Sequence, residues 1–157
     1  MNTVLAVGSV LYARRMAKND TERMRRKALV FELERSGVNE EAPEWISYYL
    51  IVRNLEPIGA KVLTIAAKPK AGRVLSNLDA YGDHPGYDAA TGRNHLKNPL
   101  PDLRRTDLNY RVGPSGSSRS ASGASPGDTV YIPFMAKNVM KIGDLSFEWE
   151  WADGQKR

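Results

Sequence analysis

The hydrophobic pattern divides the chain into two parts. From Thr3 to Ala13 the sequence TVLAVGSVLYA carries no charged side chain. Val4, Leu5, Val7, Val10, Leu11 and Tyr12 place apolar groups on nearly every side of a helix drawn through it, a pattern that suits full burial better than an amphipathic surface. With Met1 and Asn2 included, at about 1.5 Å per residue, such a helix is about 20 Å long, shorter than the hydrocarbon core of about 30 Å. Good helix formers without proline follow from Arg14 to Arg26, so one N-terminal helix is predicted over residues 1–27.

From Ala28 the period falls to two. Leu29, Phe31 and Leu33 alternate with Val30, Glu32 and Glu34, a half-buried strand closed by Ser36-Gly37. Trp45 to Leu55 is rich in aromatic and β-branched residues and apolar on both faces around Tyr48 to Val52, as a central strand requires. A turn around Pro57 and Gly59 leads into a strand over Ala60–Ala67, and the short connection predicts that the two strands form an antiparallel hairpin, with the proline as the place where the chain could switch sheets. Thr129 to Phe134 is a strand that Pro133 assigns to an edge or a bulge. A short element is expected over Asn138–Ile142. Leu145, Phe147, Trp149 and Trp151 then alternate with Ser146, Glu148 and Glu150 in a last strand with one wet face.

Between Lys68 and Ser125 the pattern weakens. A short strand fits Arg73–Leu78, turn signals follow, and residues 113–127 (GPSGSSRSASGASPG) are of low complexity and expected to be flexible. The sum is six or seven short strands with no helix after residue 27. The expected fold is mainly β, an antiparallel β-sandwich over 28–157 with a long, partly flexible insert at about 68–125, preceded by one N-terminal helix.

Charge sharpens the division. The net charge of +5 sits wholly in residues 14–27, where Arg14, Arg15, Lys18, Arg23, Arg25, Arg26 and Lys27 face only Asp20 and Glu22. Residues 28–157 hold 16 basic and 16 acidic groups, so the sandwich offers no broad positive field and nucleic acid is disfavoured as a partner. Basic residues after an apolar run, with none before it, invert the order of a cleavable signal peptide. They fit a membrane anchor with the N-terminus outward and the domain on the cytoplasmic side of the inner membrane. A collar of this kind is also drawn to anionic lipid. The alternatives are a helix docked on the β domain or a partner, a helix used in self-assembly, and a collar that is simply a solvated helix face.

Candidate chemistry is sparse. The chain has no cysteine, which excludes disulfides, thiolate metal sites and a cysteine nucleophile. His84 and His95 stand in turn-rich sequence, too far apart for a metal-binding pair on one helix. Serines cluster in the low-complexity stretch, and its glycines precede a strand rather than a helix with a lysine, so neither a triad nor a phosphate loop is legible. No catalytic, cofactor or metal site and no small-molecule substrate is predicted. The remaining candidate is a loop bearing Arg104, Arg105, Tyr110 and Arg111, within an insert of nine basic and five acidic residues. Arginine with an aromatic can hold a nucleic acid backbone, but the balanced remainder of the domain favours a protein partner or self-assembly.

Four stretches carry a resemblance: ALVFELE at 28–34, YYLIVRNLEPIGAKVLTI at 48–65, PGDTVYIPF at 126–134 and LSFEWEWADG at 145–154. Following a short apolar helix and an arginine-rich collar, they resemble small bacterial membrane-anchored proteins, actinobacterial or phage-encoded, with one immunoglobulin-like β-sandwich domain. The resemblance implies a non-enzymatic, membrane-tethered accessory or scaffold protein. The alternative is a soluble structural subunit of a larger assembly such as a phage particle, with the N-terminal helix and long loop making contacts between subunits.

Overall fold

Strand formation follows the alternation closely. The structure, a computed structural model, describes residues 29–82, 87–88 and 93–154. The apolar segment with Val4, Leu5, Val7, Val10, Leu11 and Tyr12, the collar from Arg14 to Lys27 and the helix expected there lie outside the described residues, as does His84. The strands are β1 (Val30–Val38), β2 (Trp45–Arg53), β3 (Ala60–Ala67), β4 (Arg73–Ser76), the short β5 (Tyr87–Asp88) and β6 (Arg93–Asn94), β7 (Arg105–Val112), β8 (Thr129–Lys137) and β9 (Leu145–Trp151). One helical turn, α1 (Asn77–Tyr81), follows β4, and a 3-10 turn (Ile142–Asp144) precedes β9.

Among the described residues, β1-β2-β8-β4 form one antiparallel sheet, β7-β3-β9 a second, and β5-β6 a small separate pair. The two larger sheets share one core, a β-sandwich-like arrangement. Tyr48, Leu50, Val52, Val74, Ile132 and Phe134 of the first sheet meet Val62, Ile65, Leu108, Val112, Trp149 and Trp151 of the second. Each fully buried aliphatic side chain among them contributes about 1.5–3 kcal/mol relative to exposure. Phe31 of β1 stacks flat on Phe147 of β9, with centroids 4.4 Å apart, and closes one side.

β2 lies between β1 and β8, as its two apolar faces require. Its outward residue Trp45 joins Leu75 of β4 and Met135 of β8 in a second buried cluster on the outside of the four-stranded sheet. Tyr81, Leu96, Leu100 and Leu103 pack over that cluster. This explains the scattered leucines of the insert: much of it is a cover on a sheet face. α1 is fixed by a capping box between Ser76 and Asp79. The Thr106 hydroxyl on β7 donates to the same Asp79 carboxylate, tying the cover to the opposite sheet.

Several expectations are corrected. β2 and β3 do not form the expected hairpin; the chain changes sheet in the turn containing Pro57, so the two strands pair with different partners. α1 is a helix after residue 27, made by the capping box that Ser76 and Asp79 supply. β1 does not stop at Ser36-Gly37 but runs to Val38 through a bulge between Arg35 and Gly37. Pro133 lies in an interior strand, β8, yet β4 pairs only with Phe134–Lys137, so Pro133 has a strand on one side alone.

Candidate partner-binding groove

The four residues expected on a partner-binding loop lie on or beside a strand. Arg105, Tyr110 and Arg111 belong to β7 and Arg104 immediately precedes it. The strand was illegible because its burial rests on Thr106, Leu108 and Val112 alone. Its two ends do different things. Arg105 forms a 2.7 Å ion pair with Glu148 across β3, and the Arg104 carbonyl accepts the Ala67 amide at 2.8 Å. Tyr110 and Arg111 instead line a groove of about 280 Å³ with Arg119, Tyr131 and, from the loop, Gly123, Ala124, Pro126 and Gly127.

The low-complexity stretch is held against the domain by its own backbone. Gly113 and Gly127 are joined by an amide–carbonyl bond of 2.8 Å, Ser115 N–H donates to the Glu56 carbonyl at 2.7 Å, and Asp128 N–H donates to the Ser117 carbonyl at 3.1 Å. The Asp128 carboxylate accepts the Gly116 amide at 2.9 Å. A Cβ on Gly113 would run into the Pro126 carbonyl and the Ser117 hydroxyl, so only glycine allows the two ends of the loop to approach.

Asn54 anchors this arrangement. It is 2% exposed. Its amide group donates to the carbonyls of Ile58 and Gly113 at 2.7 and 2.8 Å, its side-chain oxygen accepts the Glu56 amide, and its own N–H donates to the Asp128 carbonyl. The side chain thus fixes the sheet-changing turn and the Gly113 end of the loop that carries Arg119, and the backbone N–H of the same residue holds the Asp128 end.

Two arginines, Arg111 and Arg119, line the groove. No acidic side chain lines it, and among the described residues neither Arg111 nor Arg119 takes part in an ion pair. Tyr131 is 58% exposed and Tyr110 is also exposed, and both line the groove together with the two arginines. Two arginines with two tyrosines can pair with carboxylates while covering apolar stems. Sequence reasoning found Tyr110 and Arg111. It missed Arg119, embedded in Ser/Gly-rich sequence, and read Tyr131 only as part of a strand.

A larger cleft of about 570 Å³ lies between the 41–45 turn and residues 95–102, and several of its charges are already engaged within the domain. Glu41 faces His95 at 3.6 Å and accepts the Leu96 amide at 3.3 Å, while Asp102 pairs with Arg73 at 3.0 Å. This cleft is the seam that holds the cover down, which makes the smaller groove the better candidate for a ligand. Among the described residues no cluster of three or more His, Asp or Glu side chains is arranged to hold a metal ion, and no helix is long and apolar enough to cross a membrane.

No protein-family model, curated protein or solved structure matches this chain.

Proposed function

We propose that the chain is a non-enzymatic interaction protein. An immunoglobulin-like sandwich, held at the cytoplasmic face of the bacterial inner membrane by the N-terminal apolar segment, binds a protein partner through the groove. The observation that carries this reading is the convergence of Tyr110, Arg111, Arg119 and Tyr131, from three parts of the chain, on one groove without a carboxylate. Protein is favoured over nucleic acid because two arginines fall short of the roughly 6–10 phosphate contacts of a typical DNA-binding surface.

The immunoglobulin-like reading is supported by strand order. A constant-type domain arranges strands A, B, E and D in one sheet and places C beside F in the other. The order β1-β2-β8-β4 fits A-B-E-D, and the β3–β9 pair fits C–F. β7 takes the place beside C that C′ holds in variable-type domains, although here it follows D along the chain.

Two experiments test the proposal. A photo-crosslinking amino acid at position 131 in the full chain should capture one protein species in the native cell, and Arg111→Glu with Arg119→Glu should abolish the adduct. Capture unaffected by charge reversal would count against the groove. For the tether, the full chain should pellet with membranes, resist a high-salt wash and dissolve in detergent, while a chain lacking residues 1–27 stays soluble. Soluble, defined particles formed by the full chain without detergent would replace the tether with the assembly reading.

A further inference from the structure

We infer that the groove takes an extended, acidic segment of a protein partner, laid along the free edge of β8 as an added strand. The inference rests on the groove being the partner site and specifies how it is used. β2 pairs with β8 along its whole length, Thr129–Lys137, whereas β4 covers only Phe134–Lys137 on the other side. From Thr129 to Ile132 the β8 backbone has no hydrogen bond outside its own sheet ladder among the described residues. At about 3.3 Å per residue, these four positions leave about 13 Å of open strand edge.

The groove lies at that edge rather than over a sheet face. Val130 packs against the core and Tyr131 points to the opposite side, yet both line it together with Thr129. Pro133, which has no N–H to donate, closes the open stretch next to the end of β4. The opposite wall, β7, is a poor template for pairing. Its ladder with β3 is broken by a register shift between Val62 and Thr64, and Asn109 sits at a φ of 55°. A bulge of this kind blunts an edge, whereas β8 pairs with β2 in unbroken register.

Charge selects the occupant. A strand in this place has alternate side chains near Arg111 and Arg119, which carry no ion pair among the described residues, and an acidic residue at those positions gains charge-assisted hydrogen bonds. Backbone pairing supplies affinity and the alternate side chains supply specificity, as in other cases of strand addition. Tyr110 and Tyr131 leave room for β-branched or aromatic residues between the acids.

The test uses the full chain and two synthetic probes. One is an eight-residue peptide alternating Glu with Thr or Val; the other has the same sequence with alternate backbone nitrogens methylated. The first should bind, slow amide exchange within Thr129–Ile132, and lose about tenfold in affinity on methylation, about the loss of one backbone hydrogen bond. Arg111→Glu with Arg119→Glu should weaken it further, and Arg111→Gln with Arg119→Gln should weaken it less; an unchanged melting temperature verifies the fold of each variant. Equal binding of both peptides overturns the added strand while leaving the groove as the site. Binding of neither peptide, or binding of inorganic phosphate or oligothymidylate at the arginines in their place, overturns the groove reading as well.

Discussion

The side-chain amide of Asn54, at the end of β2, donates to the carbonyl of Gly113, 59 residues further along the chain, at 2.8 Å. Since Asn54 is buried and fully engaged, its loss strands the Gly113 and Ile58 carbonyls. Unpaired buried groups cost about 1–3 kcal/mol each. Asn54→Ala should therefore lower unfolding stability by about 2–4 kcal/mol in urea titrations. It should also raise amide exchange in residues 113–128 beyond the global change.

Gly113 permits that contact by having no side chain. Gly113→Ala should destabilise the domain by at least about 1 kcal/mol, the usual scale for overpacking a close approach. Gly143 has open space around its ideal Cβ. Gly143→Ala should fall between neutral and stabilising by about 1 kcal/mol through its effect on the unfolded chain. Thermal melts of the two variants make the comparison.

Asp79 gathers the Ser76 hydroxyl at 2.9 Å and the Thr106 hydroxyl, so it joins the cap of α1 to β7. Asp79→Ala should cost about 1–2 kcal/mol, the loss of a cap with its cross-sheet bond. The effect should concentrate in the cover: amide exchange should rise first over residues 77–82 and 95–103, with the β2–β8 ladder last.

Arg105 and Glu148 are both more than half exposed, so their ion pair is screened by water and salt. Arg105→Ala should change stability by less than about 1 kcal/mol. It should also leave binding of the acidic peptide unaltered, which separates Arg105 from Arg111 although they share a strand. Fluorescence titrations of the two single variants provide the check.

The strands that were legible are those whose alternation is driven by burial. β2 and β3 bury every second residue or more, β9 turns Leu145, Phe147, Trp149 and Trp151 inward with Phe147 half-buried, and their outlines stood in the sequence. β7 was hidden because it is an edge strand whose inward face includes Thr106, a polar residue whose buried hydroxyl is met by the Asp79 carboxylate and the Ser76 amide. The cover over Trp45 and Met135 was hidden for a related reason: Leu96, Leu100 and Leu103 are separated by polar and proline residues and pack on a face made by distant strands. Pro133 suggested an edge, and the physical cause was sound, but the edge is local, created by the shortness of β4. Half of the groove was legible in Tyr110 and Arg111. Tyr131 joins them through the pairing of β8 with β2, and Arg119 through a loop whose ends Asn54 holds at residues 113 and 128, contacts no local pattern encodes.

The most direct measurement is a map of backbone amide shifts in the isotope-labelled chain as the acidic peptide is added. Changes gathered at Tyr110–Val112, Arg119, Ala124–Gly127 and Thr129–Ile132, and absent in the Arg111→Glu, Arg119→Glu variant, are the predicted result. Changes centred on Glu41, His95 and Lys97, or none at saturating peptide, would contradict the assignment of the groove as the partner-binding site.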